Sequence, residues 1–169
     1  MSPLVLPPVK PVHPLVALLL AAAACSTSPT APPSASIRQD LGPRFLAGPP
    51  IQCVPFAREI SGVEIRGDAN TWWTQASGFY PQAHRPAPGA VMVLRNSGLG
   101  HVAVVRQVLS DRVVLVDHAN WHGRGEVAVS VPVRDVSADN SWSEVNVWWL
   151  DTNQWGVKSY QIEGFILPR

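Results

Sequence analysis

Gly100-His101-Val102-Ala103-Val104-Val105-Arg106-Gln107-Val108, then Ser110-Asp111, then Arg112-Val113-Val114-Leu115-Val116-Asp117-His118 is a pair of β-branched runs joined by a tight turn. Such residues suit a pleated, half-buried surface, and a short polar turn between two of these runs makes them antiparallel partners. Period-two alternation puts His101, Ala103 and Val105 on one face of the first run. On the second run it puts Val114, Val116, His118 and, if the chain stays extended, Asn120 on a common face. Asp117 then points the other way unless a bulge inverts the parity. Working outward, Ala90 to Arg95 reads as a strand before this hairpin, and Glu126 to Val133, Glu144 to Leu150 and Tyr160 to Leu167 read as strands after it.

Upstream the period changes. In Ile51-Gln52-Cys53-Val54-Pro55-Phe56-Ala57-Arg58-Glu59-Ile60, Phe56, Ala57 and Ile60 fall at helical spacing, and Pro55 lies in the first turn, where its missing N–H costs little. A second helical segment is expected from Ala69 to about Ser77, with Asp68 as its N-cap. Helices first and antiparallel hairpins afterward is an α+β pattern, with N-terminal helices packed on an antiparallel sheet or half-barrel.

The formal charge is +1, and apart from Lys10 the basic and acidic residues balance. No basic excess therefore points to nucleic acid or to an anionic membrane surface. The apolar run Leu15 to Ala24 is too short for a membrane span, which needs about 20 residues, but it suits the core of a signal peptide over residues 1–24. Export, to the periplasm or the outer surface, is the expected consequence. The alanines offer an A-x-A cleavage site, while Ala22-Ala23-Ala24-Cys25 offers a lipoprotein box in which Cys25 would carry lipid, the one membrane contact expected. Residues 25–50 are rich in Pro, Ser, Thr and Ala and read as a tether whose final part, up to Leu46, borders the domain at 51–169.

Cys53 sits at a helix N-terminus, where orphan N–H groups and the positive dipole end favour a thiolate, the form that attacks carbonyls. A cysteine nucleophile needs an imidazole to carry the proton and a polar group to fix that ring. His101 opens a strand after Gly98-Leu99-Gly100 and is the candidate base. Asn120 is favoured as the third residue, with His118 as the alternative, because both follow on the paired strand. Trp72, Trp73 and Trp121 are candidates for a substrate-binding floor, and core packing is their ordinary use. His84 and His122 have no evident partner. No phosphate-cradling loop or CxxC pair is present, so neither cofactor nor metal is expected.

Four ordered motifs, Gln52 to Arg58, Gly67 to Trp73, Pro86 to Val93 and Gly100 to Val105, resemble those of the CHAP domain, the cysteine, histidine-dependent amidohydrolase/peptidase family related to NlpC/P60 and papain-like enzymes. The resemblance implies a papain-like α+β fold and hydrolysis of an amide bond in peptidoglycan, with Cys53 as nucleophile and His101 as base; a monomer is expected. It also implies an oxyanion site built from the Cys53 N–H and the Gln52 side chain. Many members carry Glu-x-Asn where this chain has His118-Ala119-Asn120, so the Asn is kept and the Glu is not. A non-catalytic wall-binding module of the same fold, or a cysteine amidase acting on non-wall substrates, are the alternatives.

Overall fold

The computed structural model describes residues 42–95 and 98–169. The expected signal peptide, Cys25 and most of the tether lie outside the described residues. The tether's last part does not stand apart: β1 (Arg44–Leu46) pairs antiparallel with β6 (Val127–Asp135). After β1 come α1 (Cys53–Ser61), a 3₁₀ turn at Ala69–Thr71, α2 (Trp72–Ala76) and the two-residue β2 (Gln82–Ala83). The remaining strands are β3 (Val91–Arg95), β4 (His101–Ser110), β5 (Val113–Ala119), β7 (Glu144–Trp149) and β8 (Gln154–Ile166), with β6 between β5 and β7.

Each strand from β3 to β8 pairs antiparallel with the next. The ring then closes, because β8 pairs with β3 as well as with β7. This overturns the expected α+β, papain-like class: the domain is a closed six-stranded antiparallel barrel carrying two short helices. The physical reason lies in β8. At 13 residues it is long enough for its first part to pair with β7, from Gln154↔Trp149 to Gln161↔Glu144, and its last part with β3, from Gln161↔Arg95 to Ile166↔Val91. One strand thus joins both ends of the sheet, and closure removes the long edges an open sheet or half-barrel would expose.

Alternation then sorts the side chains into two cores. Met92, Leu94, Ala103, Val105, Val114, Val116, Val133 and Phe165 fill the barrel interior. Val91, Val93, Val102, Val104 and Ile166 point outward and meet Ala57 of α1 and Trp72 and Ala76 of α2. Both faces of β3 and of the first half of β4, His101 to Val105, are therefore buried, which accounts for their continuous apolar runs. α2 spans five residues after the 3₁₀ turn, and Asp68 occupies the cap position without a side-chain cap bond.

Two glycines fix where the helical segments touch the barrel. Gly100 has φ 76, and a Cβ there would lie 2.6 Å from the backbone nitrogen of Asn70, whose N–H donates to the Leu99 carbonyl at 2.9 Å. Gly125 also has φ 76, and a Cβ there would lie 2.5 Å from Pro50 Cβ. The Ile51 N–H donates to the Gly125 carbonyl at 2.9 Å, so the chain entering α1 is clamped to the loop after β5. Only residues without a side chain permit these approaches.

Candidate active site

The two clamps bring three elements to one end of the barrel. Cys53 is the first residue of α1, His101 the first of β4, and Asn120 follows the last residue of β5. Together with Gln52, Asp68, Leu99 and Trp121 they line one cleft of about 360 Å³. Trp72 is fully buried in the outer core, and Trp73 packs against that same core with its ring 5.7 Å from that of His84. Of the three tryptophans expected to floor the site, Trp121 is the one that borders the cleft.

Cys53 is a free, half-buried thiol. It stands at the helix end that the sequence indicates, yet burial pushes its pKa up, with the N–H groups of Val102, Val54 and Cys53 itself offsetting part of that rise. Desolvation outweighs the donors, and the resting group is a thiol. His101 is buried, and burial together with the neighbouring His118 holds its pKa well below the ordinary imidazole value of 6.5. A neutral thiol and a neutral imidazole thus line the same cleft, rather than a preformed ion pair.

Nε2 of His101 lies 3.0 Å from Nδ1 of His118. His118 is also buried, and desolvation lowers its pKa to about 4 in spite of the opposing field of Glu126. Between two neutral rings one nitrogen must donate and the other accept. If Nε2 of His101 donates, its Nδ1 keeps a lone pair for a proton, and the His118 lone pair stabilises the imidazolium that results. Trp121 packs edge-on against His101 at 4.8 Å between ring centroids, which fixes the ring from the side.

Asn120 contacts a different group. With φ 59 it leaves the strand, its Oδ1 accepts from the Gly125 N–H at 2.7 Å, and its Nδ2 donates to Gln52 Oε1 at 2.6 Å. The structure therefore joins His101 to His118 and Asn120 to Gln52. The second link fixes the Gln52 amide with its oxygen engaged, leaving Nε2 as the available donor.

Asp117 faces away from the cleft, as the parity predicts, with Oδ2 2.6 Å from Arg106 and Oδ1 accepting from the Ser130 N–H at 2.8 Å. His122, without an evident partner in the sequence, pairs with Asp151 at 2.8 Å and stacks on Trp149. Neither that pairing nor the Asn120–Gln52 bond has a sequence signal, since each joins a loop to a residue far away in the chain. Among the described residues no group of three or more His, Cys, Asp or Glu side chains is arranged to hold a metal ion, and no helix is long and apolar enough to cross a membrane. Residues 46–120 match the family model for the CHAP domain, which covers α1 to β5 and every residue of the Cys53, His101, His118 and Asn120 set. A search of curated proteins gave no match.

Proposed function

Taking the CHAP domain at residues 46–120 as the premise, we propose that this protein hydrolyses an amide bond of peptidoglycan through Cys53. CHAP domains carry amidase or peptidase activity of the peptidoglycan type, and the finer reading rests on one observation: Cys53 and His101 line the same cleft, with His101 backed by His118 at 3.0 Å. His101 Nδ1 takes the thiol proton as the sulfur bonds to the carbonyl carbon. The carbonyl oxygen becomes an oxyanion, met by the Cys53 N–H and by Gln52 Nε2. His101 then returns the proton to the amide nitrogen, the C–N bond breaks and the amine departs, leaving a thioester. Water attacks the thioester with His101 again as base, freeing the acid and the thiol.

His118 acts here as the positioning residue for His101, and Asn120 as the positioning residue for Gln52. Donors aimed in advance at the developing charge are worth on the order of 3 kcal/mol each. Export, with a lipid anchor at Cys25 as one form of it, would put the domain where peptidoglycan lies. Release of soluble fragments from purified peptidoglycan tests the reading: Cys53→Ala abolishes it while the protein stays folded, and a variant as active as the wild type would sink the proposal. A non-catalytic wall-binding module would bind the same material and release nothing. Faster turnover of small non-wall amides than of wall fragments would instead favour the wider amidase reading.

A further inference from the structure

A second cavity of about 390 Å³ shares Trp121 with the catalytic cleft. It is built by the β7–β8 hairpin, and Trp121, Trp149, Trp155 and Tyr160 form its aromatic walls. Every lining residue lies beyond the family match, which ends at Asn120, so the shared part of the fold does not account for this cavity. Its walls are held in place. Trp121 and Tyr160 pack edge-to-face at 5.1 Å, Arg134 sits 4.4 Å over the Trp155 ring, and Trp149 stacks on His122, itself paired with Asp151. On the rim Val157 is fully exposed, and Gln154 and Lys158 supply polar groups. A preformed concavity with apolar walls and a few polar groups is the form a ligand site takes.

The chemistry of the walls selects the occupant. Peptidoglycan has two limbs: peptides bearing carboxylates, amines and small side chains, and a glycan whose rings present apolar C–H faces with polar edges. Four aromatic walls and one cation offer little to a charged peptide, whereas flat rings with a polar rim complement a pyranose. Resting on the cleft's reading as a peptidoglycan hydrolase, we propose that the Trp149–Trp155–Tyr160 cavity binds an N-acetylated sugar ring of the glycan strand while the attached peptide lies across Trp121 toward Cys53. This site makes the amide nearest the sugar the favoured bond and disfavours cross-links remote from the glycan.

The test uses the full chain with Cys53→Ala, so that ligands bind without turnover. Two probes are titrated by calorimetry: a disaccharide–tetrapeptide fragment of peptidoglycan, and the same tetrapeptide without its sugars. The sugar-bearing probe is expected to bind roughly tenfold tighter, the scale of one well-packed aromatic contact. Trp155→Ala erases that margin and leaves peptide binding unchanged. Thr152→Trp, an exposed turn position on the lining, plugs the cavity without touching the core and gives the same result should Trp155→Ala fail to fold. Equal affinity for the two probes, or a margin that survives a folded variant, overturns the proposal. Failure of the cleft's reading looks different: the wild-type protein then releases no soluble fragment from purified peptidoglycan, whatever the order of the affinities.

Discussion

His118 contacts His101 while Asn120 contacts Gln52, and under the proposed mechanism these two contacts serve separate tasks that mutation can separate. His118→Ala removes the acceptor behind His101 and should lower kcat by roughly two to four orders of magnitude. His118→Glu restores much of the rate, and because a carboxylate stabilises the imidazolium, it moves the acid limb of kcat/KM to higher pH. Asn120→Ala releases Gln52 and should lower kcat by roughly 10² to 10³ with the acid limb unmoved, a pattern that pH-rate profiles resolve. In the wild type that limb lies below 6.5, since burial holds His101 down, and the alkaline limb lies above the ordinary thiol range, since burial raises Cys53. A limb at or above 6.5 would contradict the neutral pair. The positions of Cys53 and His101 were legible in the sequence because each is a local event, one at the start of a helix and one at the start of a strand. The contact of Asn120 with Gln52 was not, because the alternation argument assumes extended backbone and a φ of 59 at Asn120 breaks it.

Between elements, the glycine contacts are the joints that set the cleft, and they differ in what a methyl group meets. At Gly125 both the left-handed φ and the 2.5 Å approach of Pro50 oppose a side chain, whereas at Gly123, with φ 77, nothing lies within 4 Å. Gly123→Ala should therefore cost only the conformational penalty of about 1 kcal/mol. Gly125→Ala should cost about 2 to 3 kcal/mol and also reduce activity, by lifting Pro50 to Gln52 off the loop that carries Asn120. Thermal unfolding of the pair checks the ranking, and equal losses would show that steric contact adds nothing. The strands β3 to β7 were readable to within a few residues, because alternation and β-branching are local, whereas the short β1 and β2 carry no such pattern and were not legible as strands. The first part of β8, Gln154 to Ser159, was not legible as strand, since Trp155 and Val157 alternate with Gly156 and Lys158 for only two steps before Ser159 breaks the pattern, and pairing with β7 extends it into a continuous strand.

For the molecule as a whole, two buried neutral imidazoles link stability to acidity. His118 has a folded pKa of about 4, below the ordinary 6.5, so across that interval the unfolded chain binds the proton that the folded chain refuses. Stability from this source is therefore complete above 6.5 and lost as the pH falls toward about 4, and His101 acts in the same direction. Denaturant midpoints should drop between about pH 6.5 and about pH 4.5, above the range where most carboxylates titrate, and a flat response there would refute the burial of neutral rings. The closed ring was the least legible feature, because whether a sheet closes depends on one long-range pairing that no local pattern encodes. That pairing also dictates an order of events during synthesis. While β8 is still inside the ribosome, β3 and β7 of the nascent chain each offer a bare row of amides and carbonyls, open to any neighbouring chain, and a chaperone that shields such rows would be needed only until residue 166 emerges.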